Sequence, residues 1–191
     1  GDPIPTILSP LALQPFMLVA LTGTPGTGKS TAGELLRIRG YTVVEISDIV
    51  REGKVTTVLD EERGSLEVDT DELDEAIHRE LPSRDAIVVG HLSHYLSVDL
   101  IIVLRCRPSV LAKRLSARGW AEAKVRENVE AEGCDVILVE AVDSDAEVVE
   151  IDTTELPAEQ VADAIEEVLA GEREKYAVGN VDWSDEVMSW F

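Results

Sequence analysis

The sequence predicts an α/β fold: a doubly wound parallel sheet of five strands with helices on both faces. Three observations carry that expectation. Short apolar runs recur without alternation: Met17-Leu18-Val19-Ala20-Leu21, Ala86-Ile87-Val88-Val89 and Leu100-Ile101-Ile102-Val103-Leu104. A strand covered on one face alternates, whereas one covered on both faces reads as unbroken apolar sequence. Helix-patterned segments separate these runs, as crossovers between parallel strands require. Finally, Gly23-Thr24-Pro25-Gly26-Thr27-Gly28-Lys29-Ser30 fits G-x-x-x-x-G-K-[ST] and stands between the first run and the first helical segment.

The first strand leads into the glycine loop, and Ala32 to Arg39 then carries Leu35, Leu36 and Ile38 on a helix that Gly40 can stop. Tyr41 to Ile46 is the second strand. Ser47 is placed to cap a short helix through Arg51. Gly53 to Leu66 is polar and acidic without a clear period, so it is expected to be a mobile loop. Leu73, Ile77 and Leu81 recur every fourth residue, which predicts a helix over 69–81, with Pro82 beyond it. Ala86 to Gly90 and Leu100 to Leu104 are the third and fourth strands. Pro108 suits the first turn of a helix running to Arg118, and Gly119 breaks it. Trp120 to Ala141 reads as one further helical stretch, Glu147 to Ile151 as the fifth strand and Pro157 to Leu169 as the last long helix. In the tail, Trp183, Val187, Trp190 and Phe191 are expected to dock on the body, because exposed tryptophan is unfavourable.

The expected organisation is a single domain over 17–171, with a tail over 172–191. Residues 1–16 hold four of the eight prolines and no charge except Asp2. They are read as a leader or an expression-tag extension ahead of Met17. No apolar run approaches the ~20 residues of a membrane span. Two cysteines are too few for a disulfide framework, so a reduced, cytoplasmic protein is expected. Asp and Glu number 38 against 17 Lys and Arg, a net charge of −21, and only five of the basic residues are lysine. That balance suits a halophile surface, whose self-repulsion salt would screen. It also argues against strong nucleic-acid binding.

The chemistry follows from the loop. Glycines let successive N–H groups turn inward around a phosphate, and the helix start adds partial positive charge. Gly26, Thr27, Gly28, Lys29, Ser30 and Thr31 are therefore candidate ATP-binding residues. Lys29 would reach the β- and γ-phosphates, and the Ser30 hydroxyl would hold Mg²⁺. Ligands bind at the carboxyl ends of the strands in such a sheet. Asp48 and Arg51 follow the second strand, where Arg51 could hold an acceptor's phosphate. His91 follows the third strand and would face the γ-phosphate; His94 is better explained as packing. Arg114 and Arg118 lie one helical turn apart before Gly119, which suits a lid closing on a triphosphate. No aspartate ends the third strand, where Val89-Gly90-His91 stands, and Asp99 begins the fourth strand rather than ending it. The missing Walker B aspartate argues against a motor ATPase or a GTPase and fits a small-metabolite kinase.

The loop, Ile46-Ser47-Asp48-Ile49-Val50-Arg51-Glu52, Arg114-Leu115-Ser116-Ala117-Arg118-Gly119-Trp120 and Lys124-Val125-Arg126-Glu127-Asn128-Val129-Glu130-Ala131-Glu132 resemble the adenylate kinase isoenzyme 6 family of archaea and eukaryotes. The resemblance covers most of 17–170. It implies the P-loop nucleoside monophosphate kinase fold, with a monophosphate-binding arm near 45–66 and a short lid near 117–127. It implies transfer of the ATP γ-phosphate to AMP alongside ATP hydrolysis, with Mg²⁺. By position, Gly26, Gly28, Lys29, Ser30 and Thr31 would bind ATP, Arg118 would be the lid arginine, and Asp48 and Arg51 would lie on the AMP side. Family members also assist maturation of the small ribosomal subunit by binding one of its proteins. Eukaryotic members carry Asp-x-His after the third strand, where this chain has Val89 and His91, which puts hydrolysis in doubt more than transfer. An archaeal source would fit the halophile reading. Two other functions stay open on the residues alone: an ATP-switched assembly factor for the small ribosomal subunit, and a kinase of another acceptor such as shikimate.

Overall fold

The structure is a computed structural model that describes residues 17–62, 64–81 and 85–191. The expected leader over 1–16 and Pro82 lie outside the described residues. Five parallel strands form the sheet: β1 (Leu18–Gly23), β2 (Val43–Glu45), β5 (Ala86–Val89), β6 (Leu100–Arg105) and β7 (Glu147–Asp152), in the order β2-β5-β1-β6-β7. β1 is central because every one of its residues is buried. It pairs with β5 from Leu18↔Ala86 to Leu21↔Val89 and with β6 from Val19↔Leu100 to Gly23↔Leu104. Val19 and Leu21 face one layer, where α1 (Lys29–Ile38) and α7 (Ala158–Leu169) contribute Leu36, Ile165 and Val168. Leu18 and Ala20 face the other, covered by α3 (Thr70–Glu80) through Leu73 and Ile77 and by α6 (Val136–Val142) through Leu138 and Ala141. Burial on both faces is why the strands read as continuous apolar runs. Each such Leu, Ile or Val contributes about 1.5–3 kcal/mol when fully buried.

Local signals place most boundaries. Asp69 caps α3, its carboxylate accepting from the N–H groups of Asp71 (2.9 Å) and Glu72 (3.3 Å). Pro108 opens α4 (Pro108–Ala117), and Arg118 ends it. Four expectations need correction. The first is the supposed loop over 53–66, which contains an antiparallel hairpin, β3 (Thr57–Asp60) and β4 (Ser65–Val68), closed by a turn with Gly64 at φ 64°. Alternation was missing because the hairpin is covered only at its base: Val68 packs on the core, while Val58, Leu59 and Leu66 are exposed. The second is α2 (Ile46–Arg51), which begins one residue before Ser47, so Ser47 lies inside the helix and does not cap it.

The third correction is the stretch from Trp120 to Ala141, which is two helices, α5 (Glu122–Gly133) and α6. They part at Asp135, which adopts a left-handed φ of 57°. Aspartate tolerates that conformation better than most residues, and its carboxylate is held by Arg105. The fourth is the tail, which docks only in part. Trp183 is buried, and α8 (Ser184–Met188) directs Val187 and Trp190 onto Gly133, where a Cβ would come within 2.6 Å of the Trp190 ring. Phe191, one residue further on, is 96% exposed. Cys106 is buried and Cys134 exposed, both as free thiols. Among the described residues no helix is long and apolar enough to cross a membrane.

Candidate active site

All five parallel strands point their carboxyl ends at one rim, and the glycine loop occupies its centre. Two of its glycines are required by space. A Cβ on Gly23 would lie 2.6 Å from the Leu104 carbonyl oxygen, and one on Gly26, at φ 92°, would lie 2.8 Å from Leu111. Thr27 closes the loop, its N–H and hydroxyl both donating to Thr24 O. Lys29, the first residue of α1, folds back over the loop and donates from Nζ to Gly23 O (2.7 Å) and Thr24 O (3.1 Å). Burial lowers its pKa to about 7, and the nearby positive charge of Arg118 adds to the effect, while Glu132 and Glu45 oppose it. Turned N–H groups, a helix start and an amine at the loop mouth are a donor set that fits a polyphosphate. Among the described residues no group of three His, Cys, Asp or Glu side chains converges on a metal. A divalent cation would fit here with Ser30 and phosphate oxygens as partners.

Three hollows surround the loop. On the side of α2 and the hairpin is a cleft of about 530 Å³ lined by Lys29, Ser30, Glu45, Ser47, Arg51, Leu66 and His91. In front of the loop is a second, of about 630 Å³, bounded by Thr24, Glu62, His91, Trp120, Lys124 and Asn128. On the side of α4 is a smaller one, of about 210 Å³, formed by Gly26, Gly28, Thr31, Arg114, Arg118, Thr153 and Val161. His91 lines the first two, so it stands where they meet. Burial and the charge of Lys29 hold its pKa below the usual histidine value, which favours the neutral ring.

The two arginines at the end of α4 differ. Arg114 is spent on backbone: it donates to Gly26 O (3.2 Å), Thr153 O (3.1 Å) and Thr154 O (3.3 Å). Arg118, at the end of α4, is exposed and close enough to act on the Lys29 charge. On α2, Arg51 donates to the Asp48 carboxylate at 2.7 Å and keeps 73% of its side chain exposed. His94 belongs to the core, sharing a 2.7 Å hydrogen bond with the Thr22 hydroxyl and a 3.3 Å contact with Glu140.

Arg105 stands out in the sequence as a residue following the fourth strand, but the network it joins behind the loop was not foreseen. Glu132 accepts from the Thr24 hydroxyl (2.9 Å), Arg105 Nε (2.9 Å), Cys106 N (3.0 Å) and Trp183 Nε1 (3.0 Å). Arg105, 1% exposed, also binds Glu150 and Asp135. The Thr153 hydroxyl lies 2.9 Å from both Thr27 O and Arg105 O. An apolar strand ending in arginine, Leu104-Arg105, was the only sequence signal for this network. Glu45 was also missed; it lines the same cleft as Ser30, and burial followed by the charge of Asp48 raises its pKa.

The sequence profile of the family described as AAA domain matches residues 19–135. Three archaeal proteins, each named "Putative adenylate kinase", align over nearly their whole length. The one from Archaeoglobus fulgidus is 48% identical over 174 residues, covering 90% of this chain and 94% of its own. The Natronomonas pharaonis protein is 46% identical, covering 88% and 99%, and that of Thermococcus kodakarensis 44%, covering 91% and 98%. Among solved structures, shikimate kinase from Acinetobacter baumannii in complex with shikimate superposes with a TM-score of 0.60 at 14% identity, over 87% of this chain and 99% of that one. The YorR protein from Bacillus subtilis gives 0.55, also at 14% identity, over 80% and 95%. These two likenesses bear on the fold alone. Near-full-length identity of 44–48% to the archaeal proteins establishes the relationship: the chain belongs to their family, that of P-loop nucleotide kinases.

Proposed function

We propose that the protein transfers the γ-phosphoryl group of ATP to AMP. The bond from the γ-phosphorus to the β–γ bridging oxygen breaks, a bond to an α-phosphate oxygen of AMP forms, and two ADP leave. The observation that carries this reading is the pair of clefts that share His91, one lined by Lys29 and Ser30 and the other by Thr24 of the same loop. An enzyme that joins a donor and an acceptor needs two such spaces sharing one reactive point, whereas a simple hydrolase needs one. The names of the archaeal relatives support AMP as the acceptor.

The protein's work in this reading is positioning and charge stabilisation. Mg²⁺ bound with ATP supplies charge neutralisation at the phosphates. Gly26, Thr27, Gly28, Ser30 and Thr31 cradle the phosphates with N–H groups and hydroxyls. Lys29 exchanges its carbonyl partners for phosphate oxygens and regains its full charge beside them. Arg114 keeps Gly26 and the loop after β7 in register, a holding role. Arg118, having no comparable backbone attachments, swings onto the moving phosphoryl group. Arg51 and Asp48 bind the AMP side, and neutral His91 offers a hydrogen bond where the two substrates meet.

An acceptor screen tests this reading: ADP formation from ATP, followed with each nucleoside monophosphate and with shikimate. AMP is expected to stimulate consumption most. Turnover that ignores every acceptor, or that shikimate alone stimulates, sinks it. Lys29→Ala is expected to abolish transfer without unfolding the chain.

The acidic surface supports a protein that works at high salt. Carrying a net charge of −21, it should gain stability into the molar range, since the screening length falls to about 3 Å at 1 M. A melting temperature that stays flat from low to molar salt discards that proposal.

A further inference from the structure

We propose that Glu45 is the carboxylate that orients the divalent cation accompanying the nucleotide, in the place that an acidic residue at the end of β5 would otherwise fill. The proposal rests on the kinase reading above and names a further residue of the same site. Its basis is the sheet register. β2 pairs with β5 as Val43↔Ile87, Val44↔Val88 and Glu45↔Val89. Val89 ends β5 and is wholly buried and apolar. The strand beside it therefore delivers a carboxylate to the same level of the sheet, one strand further from β1.

The surroundings suit that role. The Glu45 carboxylate faces the start of α1 beside Gly33, in the same cleft as the Ser30 hydroxyl. A serine hydroxyl has one hydrogen and two lone pairs. Giving the hydrogen to a carboxylate would leave the lone pairs for a hard cation, which prefers oxygen ligands. Gly33, one turn along α1 from Ser30, makes the approach possible. A Cβ there would come within 3.1 Å of Val89 and 3.8 Å of Glu45 Oε1. Both Ser30 and Glu45 line the arm-side cleft, on the side where the acceptor phosphate would arrive.

The neighbouring carboxylates are committed elsewhere. Asp99 accepts from Leu18 N at 2.8 Å, at the amino end of the sheet. Glu132 already accepts four hydrogen bonds behind the loop. Asp48 is paired with Arg51. The Glu45 carboxylate is thus left beside the hydroxyl.

The test uses Mn²⁺ as the cation and ADP as the nucleotide. Glu45→Gln keeps the side-chain shape but removes the charge. Mn²⁺ binding to the protein–ADP complex is followed by electron paramagnetic resonance, and ADP binding is measured separately in chelator. The variant is expected to weaken Mn²⁺ binding roughly tenfold to a hundredfold, as loss of an outer-sphere partner does. ADP affinity in chelator should stay within about twofold or tighten, because a negative charge near phosphate is removed. Equal Mn²⁺ affinity in variant and wild type overturns the proposal, as does an equal loss of ADP affinity with and without metal.

A measurement on the unmodified protein covers a variant that fails to fold. With Mn²⁺ and ADP bound, the ¹³C-labelled carboxyl of Glu45 should relax faster than that of Glu132, and slower relaxation overturns the proposal. A wild type that binds no ADP at all fails the kinase reading and takes this proposal with it. A wild type that binds Mn²⁺ with ADP, matched by its variant, fails this proposal alone.

Discussion

On the α4 flank of the phosphate loop, Arg114 donates to three backbone carbonyls, Glu132 accepts four hydrogen bonds and Arg105 is sealed from solvent. On the α2 flank, Arg51 meets Asp48 with most of its side chain exposed, and the hairpin holds Val58, Leu59 and Leu66 out in solvent. The first flank is held in advance, because buried, fully satisfied hydrogen bonds are costly to break. The second is held by a pair that water can replace, worth little by itself. The proposed two-substrate reaction would gain from that division: the loop geometry is set, and the second flank can adjust around an acceptor.

The largest expected difference between the flanks is in stability. Arg105→Ala leaves Glu132 and Glu150 buried without their counter-charge, and breaking such a pair from one side costs about 3–5 kcal/mol. For a chain of this size that is a fall in melting temperature of roughly 10 °C. Thermal unfolding measures it, and a fall of under ~3 °C would mean the first flank is not held by this network. Arg118→Ala should leave the melting temperature unchanged and lower kcat about a hundredfold, as loss of a positioned charge stabiliser does. If it raises only the KM for AMP, the assignment of the two flanks is reversed.

Lys29 sharpens the comparison through pH. Its pKa in the folded chain is about 7 against 10.5 for the free side chain. A lowered lysine penalises the fold most below pH 7, where both states are protonated. That penalty is relieved as pH rises from about 7 to 10.5, because the folded state gives up its proton first. Phosphate favours the ammonium, so ATP binding at pH 8 should take up close to one proton. Calorimetry in buffers of different ionisation enthalpy measures the uptake, and zero uptake would place the phosphates away from Lys29.

The smallest effect belongs to the second flank. Arg51→Ala should raise the KM for AMP several-fold, with kcat and melting temperature nearly unchanged, the pattern of lost uniform binding. Steady-state kinetics with both nucleotides varied would expose the opposite outcome, a change in ATP affinity.

The sequence by itself determined what contiguous residues decide. The spacing of Gly23, Gly28, Lys29 and Ser30 is a local property of one turn and one helix start. Unbroken apolar runs report burial on both faces, so the five strands and the helices between them were legible within a few residues. Local patterning could not show the hairpin, since only its base at Val68 is covered and no period develops. It could not divide α5 from α6 either, because Asp135 turns left-handed only where Arg105 from β6 reaches it. Arg114 and Arg118 are indistinguishable on a helical wheel; the carbonyls of Gly26, Thr153 and Thr154 separate them, and these come from other parts of the chain. Glu45 and Val89 are 44 residues apart, and only the pairing of β2 with β5 makes them neighbours. Charge placement around the loop depends on which strands lie side by side, and that is settled by packing between distant segments, a term no local spacing contains.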